Sequence, residues 1–223
     1  MSVRPLVQWS PTALKNFENC ARKYHEVNVL KKYKIEKTEQ LRYGDRLHKA
    51  ADGYIKTGVM AKEFAFMQPV LDAMLAKEGT AYGEQKFALN VHLQPRKFFD
   101  NDVWVRGVAD MLILNPAKKV AWVVDWKTGN DKYPDRDQLE LMALMVMAHH
   151  PTIEQVNAAL FFVLKDSMIK EKYARVRYDT MWQRYRERVA SIEAAHASGV
   201  WNPQRSGLCG WCEVTTCEFN PKG

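Results

Sequence analysis

Residues 103–114 and Val120–Lys127 are two apolar runs joined by Asn-Pro-Ala-Lys-Lys, a turn sequence, and each run carries one aspartate. Asp110 lies five residues before Asn115 and Asp125 five after Val120, so antiparallel pairing sets the two carboxylates side by side to within one residue of register. Asp125 and Lys127 are two apart and share a strand face. An isolated Asp-x-Lys reads as ordinary edge-strand charge. Here Trp126 and its apolar neighbours mark a central strand, where charges are rarely buried without partners. Unneutralised, the two carboxylates repel each other in a partly buried site. A hard divalent cation resolves that conflict, since Mg²⁺ takes carboxylate oxygens and leaves its other positions to water and phosphate. Such an ion polarises a phosphoryl oxygen and supplies hydroxide near neutral pH, while the lysine orients or activates the attacking water.

The flanking sequence supplies the rest of a layered domain. Ser10 before Pro11 starts a helix, with Leu14, Phe17, Ala21 and Tyr24 at helical spacing. A second helix is predicted over 41–55, with Tyr43, Leu47, Ala50 and Tyr54 on one stripe. Gly44, His48 and Ala51 lie on the adjacent stripe, which leaves room beside the imidazole. A third helix is predicted over 63–77. Phe87, Leu89, Val91 and Leu93 then alternate as a strand, with Glu84 on the opposite face. After the aspartate hairpin come a strongly apolar helix over 137–149, strands over 156–164 and 172–178, and a last helix capped by Asp179 and ending near Gly199. The order αααβββαββα predicts an α/β (α+β) domain with a mixed sheet, residues 1–223 forming one unit and 200–223 a C-terminal appendage.

Lys+Arg number 33 against 26 Asp+Glu, a formal charge of +7 that makes a polyanion a plausible partner without naming one. The excess is local: residues 13–49 carry a net +5 and residues 165–188 a net +4. Tyr24, Tyr33, Tyr173, Tyr178, Trp182 and Tyr185 are interleaved with these charges, so they could stack on single-stranded bases or serve as core aromatics. No helix-turn-helix or zinc-finger pattern is present, so sequence-independent phosphate binding is expected. The longest apolar run, 141–148, is too short to span a bilayer, and Met1 to Gln8 contain no apolar leader, so a cytoplasmic protein is expected.

Three of the four cysteines crowd together: Cys209, Cys212 and Cys217, with Cys20 far upstream. In a reducing compartment such spacing asks for a metal, and a four-thiolate centre would staple the first helix to the last segment. Spacing alone does not separate zinc from an iron–sulfur cluster.

Gly107-Val108-Ala109-Asp110, then Val124-Asp125-Trp126-Lys127-Thr128-Gly129, then Gln138, resembles the PD-(D/E)XK nucleases, closest to their RecB-like branch of CRISPR-associated and helicase-linked exonucleases. Gly44-Asp45-Arg46-Leu47-His48 is similar to the Gly-x-x-x-His motif of that branch, and Ser10-Pro11-Thr12-Ala13-Leu14 through Cys20 to its opening. The resemblance spans nearly the whole chain and implies a restriction-endonuclease-like core with N-terminal helices and a cysteine-stapled C-terminal segment. It implies Asp110, Asp125, the Trp126 carbonyl and His48 as ligands of Mg²⁺ or Mn²⁺, and Lys127 as the catalytic lysine. Gln138 would position that lysine or the DNA, and Glu84 matches an acidic residue of the preceding strand. Two departures stand out: Ala109 replaces the eponymous proline, and Met142 occupies a position where many RecB-like members carry tyrosine. For Cys20, Cys209, Cys212 and Cys217 the resemblance favours a 4Fe-4S cluster over Zn²⁺. The function implied is a metal-dependent deoxyribonuclease, an exonuclease on single strands or DNA ends. Its setting would be recombination, repair or phage/CRISPR DNA processing in a bacterial, archaeal or phage-infected cell, with recombination or CRISPR adaptation proteins as partners. The alternative is a catalytically silent DNA-binding or assembly subunit with a structural zinc or iron–sulfur centre.

Overall fold

A computed structural model describes residues 7–33 and 37–222. Residues 1–6, read above for a leader, and Lys34 and Glu36 of the first basic segment lie outside the described residues.

Helix α1 (Pro11–Asn19) begins where expected: the Ser10 hydroxyl accepts the Ala13 N–H at 3.2 Å and Pro11 takes the first helical position. The run does not continue unbroken to Tyr24. Cys20 adopts an extended backbone, and its thiol caps a short helix α2 (Ala21–Tyr24) by accepting the Lys23 N–H at 3.5 Å, followed by a π-turn over His25–Val29. Helix α3 (Glu39–Thr57) is capped by Thr38 and ends on Gly58 at φ 71°, a left-handed position that glycine occupies without strain. The expected 63–77 helix divides into a 3₁₀ turn (Lys62–Met67) and α4 (Gln68–Leu75), because Phe64 leaves helical geometry and Pro69 is tolerated only in a first turn.

Strands β1 (Thr80–Leu89), β2 (Val105–Asn115), β3 (Val120–Lys127), β4 (Gln155–Phe162) and β5 (Ser167–Ala174) form one sheet in sequence order. All neighbours are antiparallel except β3 and β4, which are parallel and joined by the crossover helix α5 (Arg136–His149). Residues 103–104 and 163–164 drop out of their expected strands, and three further boundaries differ for local reasons. Val91 and Leu93 fall outside β1, in a turn closed by Leu93 N–H to the Asn90 carbonyl at 2.9 Å. β5 precedes the predicted 172–178 because it is a polar edge strand, with exposed Lys170 and Lys172, and carries little apolar alternation to read. Asp179 is the second residue of α6 (Tyr178–Ser198), not its cap.

One core lies between the sheet and α5, itself covered by α1 and α6, which explains why Leu141 through Met147 are all buried. The other lies between the opposite sheet face and α3 with α4, around Leu47, Phe64, Met67 and Leu71. Gly79 leads into β1 at φ 136°, and a Cβ there would sit 2.4 Å from the Leu114 carbonyl oxygen. Gly79→Ala is therefore expected to destabilise the chain by about 2 kcal/mol or more, measured by denaturant unfolding; an unchanged midpoint would contradict this close approach.

The sheet changes face at one point. In β1, Ala81 packs into the α3 core, but Phe87 and Leu89, of the same parity, pack into the α5 core. In β2, Val105 and Ala109 belong to the α5 core, whereas Met111 and Ile113 belong to the α3 core. The switch falls at Glu84, at φ 39°, and at Asp110 opposite it; Gly83↔Met111 and Gln85↔Ala109 pair on either side of them.

Candidate active site

The β2–β3 ladder runs from Asn115↔Val120 to Met111↔Val124 and stops one step short of Asp110 and Asp125. The strands fork there, and the Asp110 side chain takes the place of a ladder partner: its Oδ2 accepts the Trp126 N–H at 2.8 Å. Its Oδ1 lies 2.9 Å from His48 Nδ1, which α3 presents. Asp125 is held from the other layer, its Oδ1 accepting from Gln138 Nε2 of α5. Lys127 Nζ donates to Gln138 Oε1 at 2.8 Å and stands 2.6 Å from Asp125 Oδ2. The two aspartates thus meet at the fork from opposite sides of the sheet.

Gln138 is placed by the start of α5. Asp135, which the sequence reading passed over, caps that helix by accepting the Gln138 N–H at 3.3 Å. The Asp-x-x-Gln spacing is the signal that could have found it. Lys15 of α1 pairs with Asp135 at 2.8 Å, tying the first helix to this end of α5.

Burial, then the charge of Asp110, pushes the Asp125 carboxyl up to about 6, against the pull of Lys127 and His48. Burial disfavours the His48 imidazolium, but the hydrogen bond and charge of Asp110, with the charge of Asp125, outweigh it and raise its pKa. Asp125 Oδ2 is fully buried and makes no well-directed hydrogen bond, so its tie to Lys127 is one of charge. Among the described residues no three His, Cys, Asp or Glu side chains are so arranged that they could hold a metal ion as they stand. His48 and Lys127 are instead turned onto the carboxylates and compensate them. The donor chemistry still fits a divalent cation: two buried carboxylates, one with an unsatisfied oxygen, next to an imidazole that is partly open to solvent.

The site opens into a groove of about 790 Å³ lined by Gly44, His48, Lys49, Glu84, Lys127 and Thr128, among others. Gly44 of α3 faces the end of β3, where a Cβ would make ordinary contact with Thr128 Oγ1 at 3.4 Å. Glu84 is exposed on the groove wall. Met142 is buried and its methyl occupies the space a Cβ on Gly107 would need, so this residue packs the core and faces no substrate.

Of the aromatics interleaved with basic residues, Tyr24, Trp182 and Tyr185 are core residues and offer no face to a base. Much of the basic excess is also paired internally: Arg184 with Glu140, Arg188 with Glu18 and Asp137, and Arg46 with Glu39 and Glu63.

Cys20, Cys209, Cys212 and Cys217 are all free thiols and line one cavity of about 110 Å³. Cys20 Sγ accepts the Gln204 N–H at 3.4 Å, and Cys209 Sγ the Ser206 N–H at 3.3 Å. The tail returns to the N-terminal helices through Trp201, stacked on His25 at 4.5 Å and edge-on to Phe17 and His196. Lys23–Glu213 at 2.8 Å and Tyr33–Thr216 at 3.1 Å extend that contact.

A family model of the PD-(D/E)XK nuclease superfamily matches residues 58–217. A protein of known structure from Eubacterium rectale, provisionally named an exonuclease, superposes with a TM-score of 0.54 at 12% identity, covering 93% of this chain and 87% of that one. The crystal structure of SSO0001 superposes with a TM-score of 0.49 at 16% identity, covering 98% and 89%. No curated protein matches the sequence. Among the described residues no helix is long and apolar enough to cross a membrane.

Proposed function

The chain belongs to the PD-(D/E)XK nuclease superfamily, and from that premise we propose that it is a metal-dependent deoxyribonuclease acting on single strands or DNA ends. Nucleases of this superfamily generally use Mg²⁺ or Mn²⁺. The observation that carries the reading is the fork at Asp110 and Asp125, with Lys127 Nζ 2.6 Å from a buried carboxylate oxygen, Asp125 Oδ2, that lacks a directed hydrogen bond.

Asp110, Asp125, the Trp126 carbonyl and His48 would hold the ion. When bound, it supplies Lewis-acid polarisation of the scissile phosphate. Lys127 is held by Gln138 in the groove wall, where its ammonium can orient a water against the phosphate or steady a non-bridging oxygen. Gln138 bridges Lys127 and Asp125 and so keeps the lysine beside the carboxylate it must serve. The superfamily match begins after His48, so the role given to His48 rests on its contact with Asp110. Glu84 lines the groove, where it would guide water or metal. The exonuclease assignment of the Eubacterium rectale protein agrees with end-directed cleavage.

We read residues 200–223 as a segment closing onto Cys20 around a four-cysteine centre, a 4Fe-4S cluster or Zn²⁺. Its support is the shared cavity and the backbone N–H groups aimed at two of the sulfurs, which suits thiolates. Anaerobically purified protein analysed for iron, sulfide and zinc tests it, and a sample free of all three removes the centre.

The functional test is incubation with end-labelled single- and double-stranded DNA and with RNA. Cleavage is expected with Mg²⁺ or Mn²⁺, absent in EDTA and restored by adding the metal back, with mononucleotides accumulating from one end. Intact DNA under every condition defeats the reading in favour of a silent binding subunit. Preferential RNA cleavage defeats the choice of DNA.

A further inference from the structure

Asp100 N–H bonds to the Lys97 carbonyl at 3.0 Å, closing a β-turn with Phe98 and Phe99 at its two corners. Such corners favour Pro, Gly, Asn and Asp. Here they carry two phenylalanines set edge to face at 5.1 Å, and Phe99 is 77% exposed. Two cations stand over these rings: the Arg106 guanidinium 5.3 Å from Phe98, and Lys86 Nζ 5.6 Å from the same ring. Arg106 donates to Gln8 at 2.9 Å, and among the described residues neither it nor Lys86 pairs with a carboxylate. That sets them apart from Arg46, Arg184 and Arg188, whose charges are met within the chain.

The position of this patch gives it meaning. Arg106 lies four residues from Asp110 along β2, where the odd positions Val105 and Ala109 face α5, so Arg106 faces the other side, the side from which His48 of α3 reaches Asp110. At ordinary strand rise the four residues span about 13 Å. Lys86 is two residues from Glu84, which lines the groove. A strip therefore runs from the forked carboxylates past Glu84 to two cations that meet no carboxylate among the described residues and to the rings of Phe98 and Phe99. Phosphates meet cations there, and bases meet π-faces, the combination by which unpaired strands are held without sequence preference.

We propose that Phe98 and Phe99, with Arg106 and Lys86, form a nucleobase platform that holds a single strand a few nucleotides from the fork. The platform selects unpaired over duplex substrate, because paired bases present no free face to the rings. This rests on the nuclease reading above and deepens it.

The test uses the full chain and fluorescein-labelled oligothymidylate in EDTA, read by anisotropy, so that binding is measured without cleavage. Phe98→Ala/Phe99→Ala is expected to weaken binding of a long single strand about tenfold or more. A blunt duplex and a trinucleotide too short to reach the turn should bind as to wild type. Phe99→Ala alone alters an exposed side chain, so it keeps the test valid should the double variant fold poorly, and Phe99→Trp should retain affinity. With metal present, KM for single strands should rise while kcat holds. Unchanged affinity in Phe99→Ala and in the double variant, an equal loss for the trinucleotide, or no single-strand binding by wild type would overturn the platform. Platform-dependent binding with no cleavage at all defeats the nuclease reading and leaves the platform standing.

Discussion

Alanine at Lys127 is expected to lower phosphodiester cleavage about a thousandfold, the loss typical when a charged group acting on the reacting centre is removed. Asp125→Asn should abolish cleavage as completely. The two variants part company on stability. In wild type the folded carboxyl of Asp125 stands at about 6, above its ordinary value. The native state therefore binds the extra proton between the two values, and stability falls as pH rises through that window and stays lowered above it. Asparagine cannot ionise, so Asp125→Asn is expected to unfold later than wild type in EDTA at pH 8, by about 1–3 kcal/mol, with the advantage vanishing below pH 4. Lys127→Ala removes the nearest cation and should unfold slightly earlier at pH 8. Thermal melts of the three proteins at pH 4 and pH 8, beside single-turnover cleavage, read both effects. An Asp125→Asn protein less stable than wild type at pH 8 would show that the carboxylate is better compensated than its surroundings indicate.

Trp201→Ala should release the C-terminal tail. Trp201 stacks on His25 at an interplanar angle of 8° and lies within reach of Phe17, Tyr24 and His196, so one side chain joins α1, α2, α6 and the tail. Truncating such a residue costs about 3 kcal/mol. The other ties are smaller: Tyr33–Thr216 is exposed, Lys23–Glu213 is a single half-buried ion pair, and Cys20 Sγ accepts one N–H, that of Gln204. Limited proteolysis is expected to cut the variant near residues 200–210 while a core of wild-type size in β1–β5 persists, and the melting temperature should fall. Wild-type resistance to protease would mean that the cysteine cavity, not the indole, holds the tail.

The hairpin was legible because its turn sequence and two apolar strands fix a register, and β3 occupies the residues expected of it. His48 and Gln138 were legible through motif spacing, and the structure brings both against the aspartates. What could not be read was local chemistry that overrides periodicity. Cys20 interrupts a run of apolar residues at helical spacing, and β5 is an edge whose polar residues mimic a loop. The aromatic stripe among the basic residues was ambiguous for a different reason: helix spacing cannot tell which face a neighbouring helix covers, and α5 with α1 covered Tyr185 and Trp182. Phe98 and Phe99 carried a signal, two large apolar residues in a polar turn between Lys97 and Asp100, that periodicity does not register.

Asp110 is gripped by α3 and Asp125 by α5, on opposite faces of a sheet whose strands have already parted between them. The spacing of the carboxylates is thus set like the jaws of a caliper, by how two helical layers seat on the sheet, with the Trp126 N–H on Asp110 as the one tie the hairpin itself supplies. An excised hairpin could keep every ladder bond and still lack the gauge. Conversely, a repacking of α5 far from the groove, such as the contact of Met142 over Gly107, would reset the gap without touching a single residue that lines it.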